Sequence, residues 1–239
     1  MLMSIGYFVL LFVIAFLLGS IPWGVVISRV FYHTDVREHG SGNIGTTNAM
    51  RTLGKVGGSA VFVLDFGKGV LSGVLATLFA SQLLTDVSAL RELCVATGIT
   101  GANPDDAAVH LRITQICLSV AFLGCIWGHI FSPWLGFKGG KGIAVAVGCL
   151  VSTFGLFGTL IELAIFIALV ATTKYVSVGS IVAAIVCPFL SLYFFGGNGI
   201  AIAICFVAAL TVIWAHRENI SRLRAGNENR IGSKKKTAE

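Results

Sequence analysis

Long apolar stretches alternate with short polar ones along most of the chain. A helix that spans a membrane needs about 20 mostly apolar residues, and seven stretches approach or exceed that length. They are Ser4–Phe31, Gly57–Leu84, Ile113–Ile130, two helices within Ile143–Thr173, Val176–Phe195 and Ile200–Ala215. The pattern therefore predicts an all-α, polytopic membrane protein with seven transmembrane helices.

Two of these stretches need further interpretation. Ile143–Thr173 is too long for one ordinary span and short for two, and Gly155 and Gly158 lie where a tight turn between two helices would fall. The first stretch lacks both the basic segment and the small-residue cleavage site of a secretion signal. We therefore expect it to be retained as the first helix.

The composition agrees with a membrane protein. Hydrophobic residues make up 56% of the chain and charged residues only 12%, whereas soluble domains have about 45–50% and about 25%. The mean hydropathy is +0.89. These values exclude a soluble enzyme, a disordered chain and a nucleic-acid-binding domain.

The positive charges define an orientation. With seven crossings, only Arg91 and Arg112 of the 17 lysines and arginines fall on the side that holds the N-terminus. Since cationic loops stay in the cytoplasm, the N-terminus is predicted outside and the C-terminus inside. Residues 85–112 then form an extracytoplasmic loop, and residues 217–239 form a cytoplasmic basic tail. This bias explains the net charge of +6 without a nucleic-acid partner.

The first cytoplasmic loop has the composition of an anion-binding site. Its glycines expose backbone N–H groups, its hydroxyl and amide side chains add neutral donors, and its arginine can bind a phosphate bidentately. The spacing G-x-G-x-x-G occurs here, but a loop between two membrane helices cannot contain the βαβ unit of a dinucleotide site. The alternative is a polar turn at the interface. The candidate ligands are Ser41, Gly42, Asn43, Thr46, Asn48 and Arg51.

A second glycine-rich loop precedes the fourth helix. Lys138 and Lys141 bracket Gly139 and Gly140, which places positive charge and N–H groups together at a helix N-terminus. The spacing is not that of a P-loop. The alternative is a pair of lysines that only fixes the topology.

Three further features concern charged and titratable side chains. Asp65 and Lys68 lie three residues apart within a predicted span, so they share a helix face and are expected to form a structural ion pair; a direct catalytic role is the alternative. His129 and His216 lie at cytoplasmic helix ends, as general bases or as ordinary interfacial histidines. The sequence contains no recognisable metal-ligand cluster, and we expect no metal and no cofactor.

Four motifs extend over most of the chain in order. They are Ser41-Gly-Asn-x-Gly-x-Thr-Asn-x-x-Arg51, Gly128-His129 with Phe137-Lys-Gly-Gly-Lys141, Val176-Ser-x-x-Ser-Ile181, and His216-x-x-Asn219-Ile-x-Arg222-Leu-x-x-Gly226-x-Glu228. In these motifs the chain resembles the bacterial acyl-phosphate:glycerol-3-phosphate acyltransferases. The segment 85–112 is longer than expected for that family.

The resemblance implies a single integral membrane acyltransferase domain over residues 1–239, with its site facing the cytoplasm of a bacterial cell. The enzyme would transfer a fatty acyl group from acyl phosphate to the sn-1 hydroxyl of glycerol 3-phosphate at the cytoplasmic membrane. The products would be lysophosphatidate and inorganic phosphate, in the first acylation step of phospholipid synthesis. Membrane lipid would be the other partner.

The resemblance also implies roles for individual residues. Ser177, His216 and Asn219 would orient glycerol phosphate, while the two glycine-rich loops hold phosphates. Because acyl phosphate is already activated, we expect direct transfer without an acyl-enzyme, with the proton passing to the substrate's own phosphate. His129 or His216 as the base is the competing hypothesis.

A transporter for a phosphorylated solute is the alternative function, since broken helices and polar loops also suit transport. It is disfavoured because the polar loops lie on one predicted side and no inverted repeat is visible.

Overall fold

The computed structural model describes residues 2–96 and 107–231, and within these ranges the chain forms helices and no strand. The observed all-α architecture agrees with the prediction from the apolar pattern. The α-helices are α1 Leu2–Ser20, α2 Trp23–Tyr32, α3 Thr46–Thr52, α4 Gly54–Thr85, α5 Val87–Ala96, α6 Ala107–Ile130, α7 Ile143–Thr153, α8 Gly155–Thr173, α9 Val176–Phe194, α10 Gly199–Ala215 and α11 Arg217–Arg224.

Each of the seven predicted stretches is helical, but they differ in length. Five segments of the described chain are long and apolar enough to cross a membrane, and α10 followed by α11, with a bend of 51°, makes a sixth. The remaining helix, α7, has only 11 residues. At 1.5 Å per residue it is about 16 Å long, against about 30 Å for the hydrocarbon core of a bilayer.

The break within Ile143–Thr173 lies at Phe154 and Gly155, at the start of the predicted turn. Gly155 has a φ of +68°, a backbone conformation that glycine adopts without steric cost. The prediction of two helices is therefore confirmed, with a short α7 followed by a longer α8.

Two further segments differ in detail from the sequence prediction. Within 85–112, α5 forms a short helix and α6 begins at Ala107, before the predicted start at Ile113; residues 97–106 lie outside the described part. The tail forms a further helix, α11, directly after His216. Polar and charged residues replace the apolar ones there. Its last residues, 232–239, also lie outside the described chain.

Glycines allow close packing between the central helices. A Cβ on Gly124 or Gly128 of α6 would overlap carbonyl oxygens of α1, and a Cβ on Gly69 of α4 would overlap the carbonyl oxygen of Val145 in α7. Small residues of this kind let helix backbones approach closely in membranes. The contact between α4 and α7 positions the charged face of α4 beside the second glycine-rich loop.

Aromatic side chains close the bundle at the far end of α7. The ring of Phe154 stacks on Phe194, with centroids 5.6 Å apart, and lies 5.4 Å from the ring of Phe195. Gly158 fits against Phe154 and Phe194, where a Cβ would overlap both side chains. The glycine-rich loop that leads into α7 lies at the opposite end of that helix.

Candidate functional site

One cavity of about 430 Å³ lies between helices α6 to α10 and beneath the first loop. Residues from all four sequence motifs line one end of the cavity, and apolar side chains together with Glu162 line the rest. Of the predicted site residues, the lining includes Ser41, Asn43, Thr46, Asn48, Arg51, Asp65, His129, Lys141, Ser177, His216 and Asn219. Gly42, Lys68, Lys138, Gly139 and Gly140 are not part of the lining.

Asn48 organises the first glycine-rich loop from within. Its side-chain amide nitrogen lies 2.9, 3.0 and 2.9 Å from the carbonyl oxygens of Val36, His39 and Asn43, to which it can donate. Its carbonyl oxygen accepts a hydrogen bond from the backbone nitrogen of Ser41 at 2.8 Å. Asn48 is only 2% exposed, so its polar atoms bind the loop backbone and hold the glycines in position.

A second brace holds the start of the same loop. Asp35 accepts hydrogen bonds from the guanidinium groups of Arg29, at 2.8 Å, and Arg37, at 2.7 Å. The hydrogen bond from Arg37 is the main reason why the pKa of Asp35 is well below its usual range. The sequence prediction did not include these two ion pairs of Asp35, although an aspartate between two arginines close in sequence was a signal for them.

The loop presents a cation and an unsatisfied hydroxyl to the cavity. Helix α3 begins at Thr46, whose buried Oγ1 has no hydrogen-bond partner among the described residues. Arg51 lies at the end of α3 and lines the same cavity. A buried polar atom without a partner is rare in proteins, and beside a cation it favours an anionic ligand.

The second loop folds back onto the end of α6. The backbone nitrogen atoms of Gly139 and Gly140 donate to the carbonyl oxygens of Ile130 and His129, at 2.9 and 3.0 Å. A Cβ on Gly140 would overlap the imidazole of His129, so glycine is required for this close approach. Lys138 is exposed and lies outside the cavity lining, whereas Lys141 lines it. Only one of the two lysines therefore reaches the cavity.

Asp65, Lys68 and His129 form a buried polar cluster where α4 meets α6. The Nζ atom of Lys68 lies 2.8 Å from Oδ1 of Asp65 and 3.1 Å from Nδ1 of His129, and it donates to the carbonyl oxygen of Ile21 at 2.9 Å. Because an ammonium group only donates, Nδ1 of His129 accepts and the ring proton lies on Nε2. The cluster links α4, α6 and the break between α1 and α2.

His216 has the opposite arrangement of its ring. Its Nδ1 atom lies 2.8 Å from the carbonyl oxygen of Val212, and since a carbonyl oxygen only accepts, Nδ1 carries the proton. Nε2 is then a hydrogen-bond acceptor. Of the two candidate bases, His216 is therefore the one whose Nε2 atom can accept a proton from a ligand in the cavity.

The tail adds two charged residues that the candidate set did not include. Arg222 and Glu228 both line the cavity, and Nε of Arg222 donates to Oε2 of Glu228 at 2.7 Å. Asn219 donates to Oε1 of Glu228 at 2.7 Å, and its own Oδ1 is buried without a protein partner in the described part of the chain. Partial burial raises the pKa of Glu228, but the hydrogen bonds from Asn219 and Arg222 outweigh it and lower the pKa overall.

Lys141 lies among these charges. Burial and the positive charges of Arg222 and Arg51 lower the pKa of its ammonium group to about 8, although Glu228 and Glu218 oppose the shift. A dianionic ligand would counter the repulsion among the three cations. The polar end of the cavity therefore has the charge and the unsatisfied hydrogen-bonding groups of a phosphate site.

Comparison with known proteins gives a consistent result. The family model described as glycerol-3-phosphate acyltransferase matches residues 9–226. The glycerol-3-phosphate acyltransferase of Rhodopseudomonas palustris (strain HaA2) is 36% identical over 235 residues, which cover 98% of this chain and all of that protein. The protein of that name from Clostridioides difficile (strain 630) is 36% identical over 233 residues, with the same coverage.

Solved structures show the same similarity in three dimensions. The crystal structure of PlsY, an integral membrane glycerol 3-phosphate acyltransferase, in its glycerol 3-phosphate form has a TM-score of 0.70 and 33% identity, and the match covers 94% of this chain and 96% of that one. The lysophosphatidic acid form gives a TM-score of 0.68 and 32% identity, over 94% and 95% of the two chains.

Proposed function

Because this chain belongs to the glycerol-3-phosphate acyltransferase family, we propose that it transfers a fatty acyl group from acyl phosphate to the sn-1 hydroxyl of glycerol 3-phosphate. The products are lysophosphatidate and inorganic phosphate, in the first acylation step of phospholipid synthesis. The observation that carries the proposal is a single cavity with cationic and unsatisfied polar groups at one end and apolar walls beyond them.

The cavity fits both substrates of this reaction. Glycerol 3-phosphate and the reacting end of acyl phosphate each carry a phosphate group, and Arg51, Lys141 and Arg222 supply positive charge at the polar end. Ser177 and Asn219 lie beside these cations and can hydrogen-bond the glycerol moiety. The fatty acyl chain is apolar, and it would occupy the part of the cavity that lies between the membrane helices.

The chemistry requires positioning more than a strong nucleophile. The sn-1 oxygen forms a new ester bond with the acyl carbonyl carbon as the bond from that carbon to the phosphate oxygen breaks, and the electron pair leaves with the phosphate. The protein aligns the two reacting atoms, and the cations at the polar end of the cavity hold the phosphate of glycerol 3-phosphate and stabilise the charge on the departing phosphate. In this proposal the hydroxyl proton passes to a substrate phosphate and no acyl-enzyme forms.

This route predicts that the histidines are dispensable as bases. Replacing both His129 and His216 with glutamine should leave turnover within about tenfold of the wild type, since a true general base contributes about 10²–10⁴-fold. The measurement is the initial rate of lysophosphatidate formation at saturating substrates, with thermal unfolding as the folding control. A larger loss in H216Q alone, with unchanged unfolding, would identify Nε2 of His216 as the base.

We further propose that all seven hydrophobic helices cross the bacterial cytoplasmic membrane, with the N-terminus outside and the polar end of the cavity facing the cytoplasm. The distribution of lysine and arginine supports this orientation.

One experiment tests both the reaction and the orientation. Detergent-purified protein should release inorganic phosphate only when acyl phosphate and glycerol 3-phosphate are both present. In sealed membrane vesicles, charged glycerol 3-phosphate should be acylated only when it is supplied on the cytoplasmic face. Phosphate release without glycerol 3-phosphate, or acyl transfer only from a thioester donor, would refute the proposed reaction; acylation from the outer face would refute the orientation.

The lowered pKa of Lys141 predicts a pH dependence. Below about pH 8 the ammonium group is charged, and above it the charge is lost, so the KM for glycerol 3-phosphate should rise between pH 7 and pH 9. The substrate phosphate does not cause this change, since its second pKa of about 6 leaves it dianionic throughout. In K141R, whose guanidinium stays charged, KM should stay constant with pH. The same rise in K141R would show that another group is responsible.

A further inference from the structure

The apolar part of the cavity has a last lining residue on each of five helices. The last residues that line it, counted away from the polar end, are Phe122 on α6, Leu150 on α7, Glu162 on α8, Cys187 on α9 and Ala208 on α10. The next turns of these helices do not contribute to the lining. The stacked rings of Phe154 and Phe194 lie further along α7 and α9 and do not line the cavity. We call the apolar part of the cavity the tunnel, and the end that the five residues mark its floor.

The depth of this floor matches the length of a membrane acyl chain. Cys187 is ten residues beyond Ser177 along α9, which corresponds to about 15 Å. That distance is half the thickness of a hydrocarbon core of about 30 Å, the depth that the acyl chains of one leaflet fill. The floor therefore lies where a common fatty acyl chain would end if its carbonyl group lay beside Ser177.

Glu162 is an unexpected residue at such a floor. It is only 3% exposed, and neither carboxylate oxygen has a hydrogen-bond partner among the residues that the structure describes. On the same helix the lining continues with the apolar side chains of Leu163 and Phe166, and the thiol of Cys187 on α9 is near enough to interact with Glu162 electrostatically. A buried polar group without a partner is costly and calls for an explanation, and ionisable groups within membrane helices are generally functional.

We propose that Glu162 sets the maximum length of the acyl chain that this enzyme accepts. A chain whose methyl end stops short of Glu162 leaves this side chain undisturbed. A longer chain has to pack its methylene groups against a side chain whose buried carboxyl group offers them no favourable contact. The inference rests on the proposed function, because it assumes that the acyl chain lies in this tunnel.

The test compares three variants over a series of saturated acyl phosphates of graded length. E162L replaces the carboxyl group with an apolar side chain of similar size, and E162Q keeps a polar group in its place. T159V is the matched control, because Thr159 is buried one turn away on α8, lies outside the cavity, and donates its hydroxyl to the carbonyl oxygen of Gly155. The readout is kcat/KM as a function of chain length.

The expected result is a change in the shape of this profile. E162L should raise kcat/KM by about tenfold for chains longer than the wild-type optimum, the lower end of what a few methylene groups are worth in an apolar pocket. E162Q and T159V should keep the wild-type profile. A merely structural role would lower kcat/KM by the same factor at every chain length, and an E162L profile parallel to that of the wild type overturns the inference.

A binding measurement tests the role of Glu162 independently of the identity of the acyl donor. Thermal stabilisation of the purified protein by lysophosphatidates of graded length requires no turnover. If no variant transfers acyl groups from acyl phosphate, the proposed donor is wrong, and the lysophosphatidate series still decides the role of Glu162. Stabilisation of E162L by longer lysophosphatidates than the wild type accepts supports the inference, and identical series for the two proteins refute it.

Discussion

Replacing Arg51 with alanine should lower kcat/KM for glycerol 3-phosphate by roughly 10²–10³-fold and leave the unfolding temperature nearly unchanged. Arg51 lines the cavity from the end of α3 and is exposed. R51A would remove two hydrogen bonds of a bidentate contact with a bound phosphate, and each hydrogen bond to a charged group is worth about 1.5–3 kcal/mol. That free energy is absent until a phosphate binds. The experiment measures steady-state kinetics and thermal unfolding on the same detergent preparation.

Two further variants test whether the loss in R51A comes from the position and geometry of this guanidinium group. Lys55 is exposed, lies four residues after Arg51, and is absent from the cavity lining, so K55A removes a nearby cation and should leave kcat/KM unchanged. R51K keeps the charge but loses the bidentate geometry, and its activity should fall between those of R51A and the wild type. If R51A lost stability and activity in equal measure, Arg51 would be a structural residue and the assignment would fail.

The second large effect concerns stability. Removing either partner of the buried pair Asp65–Lys68, as in D65L or K68M, should destabilise the protein by about 3–5 kcal/mol, because it leaves an uncompensated charge in an apolar environment. Asp65 is 1% exposed and Lys68 is 4% exposed. In D65L the ammonium group of Lys68 would retain only the neutral partners Ile21 and His129. Thermal or denaturant unfolding in detergent measures the loss.

The double variant D65L/K68M tests whether Asp65 and Lys68 contribute to the free energy of unfolding as a pair or independently. Since apolar residues of similar volume often replace a buried ion pair with little loss, the double variant should be more stable than either single variant. The double-mutant cycle then gives a coupling free energy between the two positions. Additive losses would show that Asp65 and Lys68 act independently, despite the 2.8 Å between them.

Residue types and helical spacing carried much of the sequence prediction. The apolar stretches located the helices because burial in a membrane demands continuous apolar surface. The spacing of Asp65 and Lys68 indicated one helix face, and in the structure they lie within contact distance. The charge bias predicted that the polar loops lie on one side of the bilayer, and in the structure residues from each of the four motifs line one cavity.

The functions of individual polar side chains were harder to predict from the sequence. Asn48 was predicted as a ligand of the substrate, and its four short contacts to the loop backbone depend on a loop conformation that composition does not specify. Lys138 and Lys141 are equivalent by composition, and only the fold of the loop against His129 distinguishes the exposed lysine from the one in the cavity. The assignment of these residues to substrate contacts remains a prediction.

The residues that were missed depend on how the chain folds beyond a single helix. Glu228 reaches the cavity because the chain turns back after α11, so that Arg222 and Asn219 bind its carboxylate. Glu162 was visible as the one acid in an apolar stretch, but its position at the floor of the tunnel depends on how α8 packs against α9. Pattern and spacing describe single helices, whereas Glu228 depends on a turn after α11 and Glu162 on the packing of two helices.

The shortness of α7 has a consequence for how a lipid substrate reaches the reacting groups. Because α7 extends only about 16 Å, the loop that carries Lys141 would lie below the membrane surface when α7 crosses with its far end level with that of α9. The activated carbonyl could then meet the glycerol hydroxyl while the hydrocarbon chain stays immersed. Moving such a chain into water would cost about 0.8 kcal/mol for every methylene group exposed. With the reaction centre below the membrane surface, the acyl chain stays in the membrane and the water-soluble glycerol 3-phosphate diffuses to it.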